Sequence, residues 1–465
     1  MSDSTTPSAL PDAPGPRFAA DASRPAQSPA SRCAVPAAST APVADEAPPT
    51  PDVRVLVLTP WAVPAARAGT ATRADAVVQA EAAAPASADA AVPVVLADLP
   101  DQAAEADAVA LVAPDDPACP AALPPGASPP DLLSEALSDA LSEPRTEEVL
   151  ALVRACTGGD PVLCPVSDLT DVVDKLTETA AAVLLLGAAD VLADAPVEDL
   201  GRSRLNTLAL EELAAPDGPD RLVAALLSAQ HPPRARVVAL TGARGGLGTS
   251  TFLLHLARAC TVAGARVALL DADPAGGLGL LIGDDVVPGL RWGDLPAEEA
   301  AFRPDRLVPA LPTWLGMPVL TGDGRGGASS PACVGPALEA LRAYHDLVLV
   351  DLPRGAEVPS GCLVLLVTGL DLRSAVAAEA LAARARPAEG GSVALAVRLV
   401  GEDVTADDLT VMARAPVVAR IPHDRAVAQR VARGDDPTRG RGGARRAARA
   451  VAAELVGLVG TERPW

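Results

Sequence analysis

Gly245, Gly246 and Gly248, followed by the hydroxyls of Thr249, Ser250 and Thr251, lie in the stretch Leu240-Thr-Gly-Ala-Arg-Gly-Gly-Leu-Gly-Thr-Ser-Thr251, between an apolar run and a segment of helical spacing. A strand that ends in a glycine-rich turn and opens a helix aims several backbone N–H groups, and the positive end of the helix, at one point. The chemistry of such a point is the binding of phosphate oxygens. Residues without a Cβ let the backbone approach the anion closely, and Ser250 stands where such loops place a hydroxyl ligand for magnesium. A turn required only for tight packing of strand on helix is the competing reading of the loop taken alone.

Two further segments bear on that choice. Val267-Ala-Leu-Leu-Asp-Ala-Asp-Pro274 reads as a buried strand ending in the carboxylates of Asp271 and Asp273. Asp346-Leu-Val-Leu-Val-Asp-Leu-Pro-Arg-Gly355 reads as another, ending in Asp351. Each aspartate in isolation would be taken for a helix cap or a turn residue. In a parallel sheet, however, ligands collect at the carboxyl ends of the strands, so the three segments converge on one crevice.

The elements that must position these residues follow a regular order. After a break at His231-Pro-Pro-Arg-Ala-Arg236, strands are expected at 237–240, 266–271, 347–351, 363–368 and 392–397, with helices at 249–263 and 373–384. Apolar strands alternating with helices imply a mainly parallel, doubly wound sheet covered on both faces. Upstream, short β-branched runs predict strands at 53–58, 92–96, 108–112 and 181–186, and helical spacing recurs at 132–141, 146–156 and 220–230. Residues 1–51 are rich in Pro, Ala and Ser, a composition that cannot offset the entropy of ordering. The expected organisation is a disordered tail over 1–51, an α/β domain over 52–230 and a second α/β domain over 235–465.

Composition narrows the classes of function. Apolar residues make up 49% of the 465 residues but aromatics only 2%, so the cores must be built from Ala, Val and Leu. A net charge of −21 argues against broad binding to nucleic acid or anionic lipid, which needs a basic face. The seven cysteines include no C-x-x-C pair, which signals neither a disulfide framework nor a zinc site. Residues 1–30 carry no apolar run of the secretory kind, and no segment reaches the roughly 18 apolar residues of a membrane span. A cytoplasmic chain without a membrane span is the expectation.

Taken together, the motifs resemble the MinD/ParA/CpaE family of P-loop ATPases, whose loop reads K-G-G-x-G-K-[ST]-[ST], with a later strand ending D-x-D and another ending D-x-P-x-G. The sequence is more closely similar to the actinobacterial CpaE-like proteins, known as septum-site-determining or helicase/secretion neighbourhood CpaE-like proteins. Arg244-Gly-Gly-Leu-Gly-Thr-Ser250, Pro288-Gly-Leu-Arg-Trp-Gly-Asp-Leu295, Asp351-Leu-Pro-Arg354 and Ile421-Pro-His-Asp424 carry that likeness, over about 232–465. The resemblance implies a MinD-like P-loop domain using ATP and Mg²⁺, preceded by a degenerate receiver-like domain over 52–230. It also implies a homodimer, protein partners in the division or in the Flp pilus and secretion machinery, and contact with the membrane only through those partners.

Residue by residue, the resemblance places Arg244, Gly245, Gly246, Gly248, Thr249, Ser250 and Thr251 around the nucleotide. Ser250, Asp271 and Asp351 would form the magnesium shell, and Asp271 and Asp273 would organise the attacking water. The sequence departs from the family at two lysines: the signature lysine falls on Arg244, and the lysine that grips the β- and γ-phosphates falls on Thr249. Ala243 also stands where the first loop glycine is usual. Phosphoryl transfer rests on positioning and electrostatic stabilisation, and Thr249 offers only a hydroxyl. The expectation is therefore weak ATP binding with little or no hydrolysis, in a regulator of septum placement or of pilus and secretion assembly. An active ATPase using Arg244, and a DNA-partitioning factor of the ParA kind, are the alternatives; the acidic charge counts against the second.

Three smaller expectations complete the reading. Trp292 is assigned to core packing, as are His255 and His345, which have no matching ligand cluster. The stretch from Arg439 to Val459 combines five arginines with an apolar stripe of Ala447, Ala448, Val451, Ala452, Leu455 and Val459, read as docking on the core rather than on a membrane. In a receiver-like domain the phosphoacceptor position falls on Gly187, which excludes phosphorylation there, with Asp98 and Asp190 as poor substitutes.

Overall fold

The structure is a computed structural model that describes residues 53–59, 129–138, 141–178, 182–195, 205–283, 288–386 and 392–459. The expected tail and the strands expected at 92–96 and 108–112, with Asp98, lie outside these residues.

The β-branched and leucine runs form two sheets. In the first, β1 (Val53–Thr59), β2 (Val162–Pro165), β3 (Ala182–Gly187) and β4 (Leu205–Ala209) pair in parallel in the order β2-β1-β3-β4. Side chains alternate between the faces of a strand, and both faces are covered. Val55, Val57, Leu184 and Leu186 pack with Val149, Val153, Leu222 and Leu226 from the helices Glu143–Thr157 and Gly218–Gln230. Leu56, Leu58, Val183 and Leu185 pack on the other side with Leu169, Val173 and Leu176 of the helix Leu169–Glu178.

The second sheet has eight strands: β5 (Arg236–Gly242), β6 (Val267–Asp271), β7 (Thr313–Trp314), β8 (Met317–Leu320), β9 (Leu347–Asp351), β10 (Leu363–Thr368), β11 (Ser392–Arg398) and β12 (Val417–Ile421). Their order is β12-β11-β10-β5-β9-β6-β8-β7, parallel throughout except for the antiparallel end strand β7. This is the mainly parallel sheet expected from the alternating pattern.

Five strands escape the sequence pattern: β2, β4, β7 and β12, each at the edge of its sheet, and β8, an interior strand of four residues broken by Pro318. An edge strand has one neighbour and keeps polar or half-exposed positions, so it lacks the unbroken apolar run that marks a central strand. Thus β12 reads Val-Val-Ala-Arg-Ile with Arg420 exposed. The helix Pro129–Ser138 begins three residues before the expected 132 because Pro129 and Pro130 occupy its first turn, where proline is tolerated.

The C-terminal helix Gly443–Leu458 packs along the helix Thr249–Val262 and beside β12. Ala444, Ala448, Val451, Ala452 and Leu455 are buried at helical spacing, with Ala447 and Val459 packed at the margin. The alanines let the two helix axes come close. Among the described residues, no helix is long and apolar enough to cross a membrane. His255, on the opposing helix, is 3% exposed, and its Nε2 has no hydrogen-bond partner. Burial and the neighbouring Arg430 and Arg258 push its pKa down to about 4, against the opposite pull of Asp436 and Asp424.

Two outcomes follow from this seam. Leu455→Ala should lower stability by about 2–5 kcal/mol through the transfer and cavity terms, read as a shifted urea midpoint at unchanged m-value. Because the folded-state pKa of His255 lies below its unfolded value, the stabilisation is present above pH 6.5 and is lost as pH falls from 6.5 towards about 4. Urea midpoints across that window should fall more steeply for the native chain than for His255→Gln.

Candidate functional site

Register brings the three strand ends level. Leu240 of β5 pairs with Asp351 of β9, and Asp351 pairs with Asp271 of β6. The glycine loop leaves β5 at this level. Ala243 continues the pairing with β10 by donating its N–H to the Val367 carbonyl at 2.8 Å, and its methyl is fully buried, so the alanine in place of glycine is accommodated by the core.

Gly246 and Gly248 have φ of 79° and 77°, a left-handed conformation that a side chain would strain. The helix Thr249–Val262 opens directly after Gly248 and leaves its first-turn N–H groups without intrahelical acceptors. Beside this turn lies a cavity of about 320 Å³. It is lined by Arg244, Gly245, Gly246, Gly248, Thr249, Ser250 and Thr251 from the loop and by Asp273, Asp351 and Arg354 from the facing strand ends, with Leu281 at its side. The structure therefore gathers every sequence-predicted site residue except Asp271 around one space of small-molecule size.

Ser250 and Asp351 form the polar centre. The Ser250 hydroxyl hydrogen-bonds to the Asp351 carboxylate, which is 9% exposed. Burial pushes the Asp351 pKa up to about 7, the Ser250 bond pulls it back, and the nearby charges of Asp271 and Asp273 push it further up. A buried carboxylate in this state gains from a cation, and hydroxyl and carboxylate oxygens are the donors that magnesium takes. The residues present thus fit a magnesium ion. Asp273 is half-buried and holds an Asx turn through the Ala275 N–H, 2.9 Å from its Oδ1.

Asp271 has a different place. Its Oδ1 accepts the Asp273 N–H at 3.1 Å, and its Oδ2 accepts the Leu278 N–H at 3.0 Å and the Thr321 hydroxyl at 2.8 Å. Thr321 also accepts the Gly279 N–H at 3.2 Å, and Trp292 Nε1 donates to the Asp271 carbonyl at 2.7 Å. The carboxylate is 1% exposed and does not line the cavity. Whereas the sequence reading gives Asp271 to magnesium and water, the structure uses both its oxygens to fasten the segment that wraps back over β6. The pattern D-x-D is blind to this because two of the three donors, the Leu278 N–H and the Thr321 hydroxyl, come from 7 and 50 residues away.

Several positioning residues were not apparent from the sequence. Thr321 directly follows β8, and Trp292, placed in the core as expected, also holds the end of β6. Gly327 backs the Asp273 turn so closely that a Cβ there would sit 1.9 Å from the Asp273 carbonyl oxygen. The cluster of glycines at Gly322, Gly324, Gly326 and Gly327 was the available signal.

The two positive side chains at the cavity differ in state. Arg244 donates through Nε to Ser374 Oγ at 2.8 Å and through Nη2 to Asp371 Oδ2 at 3.1 Å. Asp371 caps the helix Leu372–Ala385 by accepting the Ser374 N–H at 3.0 Å, and Ser374 is fully buried, so Arg244 is anchored to a fixed helix start. Thr249 lies where the second lysine would be, its hydroxyl packed close over Gly242. Arg354, three residues beyond Asp351, is exposed at the cavity.

Comparison with known proteins gives three sets of findings. The family model for the cellulose biosynthesis protein BcsQ matches residues 235–389. An uncharacterized protein of Mycobacterium tuberculosis is 38% identical over 153 residues, covering 31% of this chain and 43% of that protein. The chromosome partitioning protein ParA of Caulobacter vibrioides is 30% identical over 135 residues, covering 26% of this chain and 49% of ParA. The chain thus spans less than half the length of the curated relatives it matches. Among solved structures, the ParA family ATPase of Chlorobium tepidum has a TM-score of 0.41 at 16% identity, covering 48% of this chain and 98% of that one. The cell division ATPase MinD of Pyrococcus furiosus has a TM-score of 0.40 at 20% identity, covering 48% and 100%. The BcsQ match, which falls on the segment that carries the glycine loop, together with the ParA match, supports placing that segment in the MinD/ParA P-loop superfamily.

Proposed function

We propose that the chain is a MinD/CpaE-like regulator of septum-site placement or of pilus or secretion assembly, acting as a homodimer on protein partners. Its P-loop site binds ATP with Mg²⁺ weakly and hydrolyses it little or not at all. The observation that carries this reading is the pairing of an intact phosphate cradle and Ser250–Asp351 couple with a loop that has Thr249 in place of a phosphate-gripping lysine. When bound, magnesium would supply charge to the phosphates from the Ser250 and Asp351 side. Asp273 would orient water, and Asp271 is a structural anchor.

Residues 52–230 serve as the partner-binding domain and 235–465 as the nucleotide domain. The protein works in the cytoplasm and reaches the membrane through partners. An active ATPase using Arg244 is disfavoured by the bonds that Arg244 makes to Asp371 and Ser374. A DNA-partitioning role is disfavoured by the net charge of −21.

Calorimetric titration with ATP and Mg²⁺, paired with a phosphate-release assay, tests the reading. Binding in the upper micromolar to millimolar range without sustained turnover is the expected result, since loss of one key electrostatic group commonly costs about 10²–10³ in rate. Sustained release abolished by Asp273→Ala would overturn the weak-hydrolysis claim, and absence of binding at millimolar nucleotide would overturn the nucleotide claim. In the same assays Thr321→Val should lower stability by about 1–3 kcal/mol, by removing the bridge between Asp271 and Gly279, and weaken nucleotide binding by loosening the Asp273 turn. A variant with unchanged urea midpoint and affinity would show that the bridge does not position the site.

A further inference from the structure

We propose that Arg354 supplies to the phosphates of a bound nucleotide the positive charge that Thr249 does not, gripping them from the strand-β9 side of the cavity. This rests on the nucleotide reading above. Among the described residues, two cationic side chains, Arg244 and Arg354, line the cavity, and two carboxylates, Asp273 and Asp351, face the same space. A polyphosphate brought there meets like charge and needs a compensating cation. Arg244 already donates to Asp371 and Ser374. Arg354 makes no hydrogen bond or ion pair among the described residues and is exposed at the cavity.

The loop that carries Arg354 is fixed on both sides. The Leu352 N–H donates to the Leu240 carbonyl at 2.8 Å, the Ala356 N–H closes a turn onto the Pro353 carbonyl at 3.1 Å, and Arg384 donates to the Gly355 carbonyl at 3.3 Å. Pro353 restricts φ just before the arginine, and Gly355 takes the left-handed φ of 80° just after it. A free guanidinium on a fixed turn is suited to bidentate contact with two phosphate oxygens, at little further cost in backbone ordering. Its position also separates binding from turnover. The charge arrives from the end of β9 rather than from the first turn of the loop helix, so it holds the phosphates without reproducing the lysine's place in the loop.

The test is calorimetric titration of the full chain with ATP and Mg²⁺ in four forms: native, Arg354→Gln, Arg354→Lys, and Arg354→Gln combined with Thr249→Lys. Arg354→Gln should weaken binding at least about tenfold, the size of effect expected for losing one charge-assisted bidentate contact. Arg354→Lys should lose less, and Thr249→Lys in the Arg354→Gln background should restore affinity, because a positive charge is returned to the same phosphates from the other wall. Urea midpoints should be the same for native and Arg354→Gln. If the native chain binds and Arg354→Gln binds equally well, Arg354 has no such role while the nucleotide reading stands. A loss of affinity that comes with a lowered urea midpoint and no rescue by Thr249→Lys would also overturn the proposal, as a structural effect. If the native chain binds no nucleotide at millimolar concentration, the nucleotide reading fails and this inference with it.

Discussion

The parallel pairing of β5, β9 and β6 is the constraint on which the candidate site depends. Parallel strands in register present their carboxyl ends together, and here Leu240, Asp351 and Asp271 fall at one level because the pairs Leu240–Asp351 and Asp351–Asp271 are ladder partners. Everything polar in the site is attached to those ends. A slip of one residue would turn every buried valine and leucine of β9 to the opposite face, so the core that fills both sides of the sheet also fixes where the carboxylates stand.

Burial then divides the three aspartates. Asp351 keeps one hydroxyl partner and an opening to the cavity, and its burial leaves it with a raised pKa. Asp271, one strand away, is covered by the returning segment and is answered by two N–H groups and the Thr321 hydroxyl. Burial also raises its pKa, with those hydrogen bonds pulling the other way. The same residue type at equivalent strand ends thus faces the cavity in one place and fastens a returning segment in the other. Asp273 lies between the two conditions, half-buried on a turn that Gly327 supports from behind.

The positive charges show a comparable division. Arg244 stands in the glycine loop, yet its guanidinium is directed to the start of a neighbouring helix, where Asp371 and Ser374 hold it. Arg354 stands outside the loop and, among the described residues, makes no hydrogen bond or ion pair at the cavity. Electrostatics at such a site depends on where a charge is held and what else it touches, so a count of basic residues in the loop misstates what a phosphate would meet.

By itself, the sequence determined the parallel α/β architecture of the C-terminal part, the glycine loop and its convergence with Asp273 and Asp351. These are written in local signals: unbroken apolar runs for central strands, glycines before a helix, and aspartates at strand ends. Edge strands such as β12 were missed because half-exposed positions dilute the run. Only the tertiary structure decided that Asp271 is fastened away from the cavity, that Thr321 and Trp292 hold the end of β6, and that Arg244 is engaged while Arg354 has no bonded partner among the described residues. Each of those outcomes is a hydrogen-bond choice between residues far apart in the chain. Such choices are set by which groups the packed sheet brings within about 3 Å, and the spacing of residue types along the chain carries no record of them.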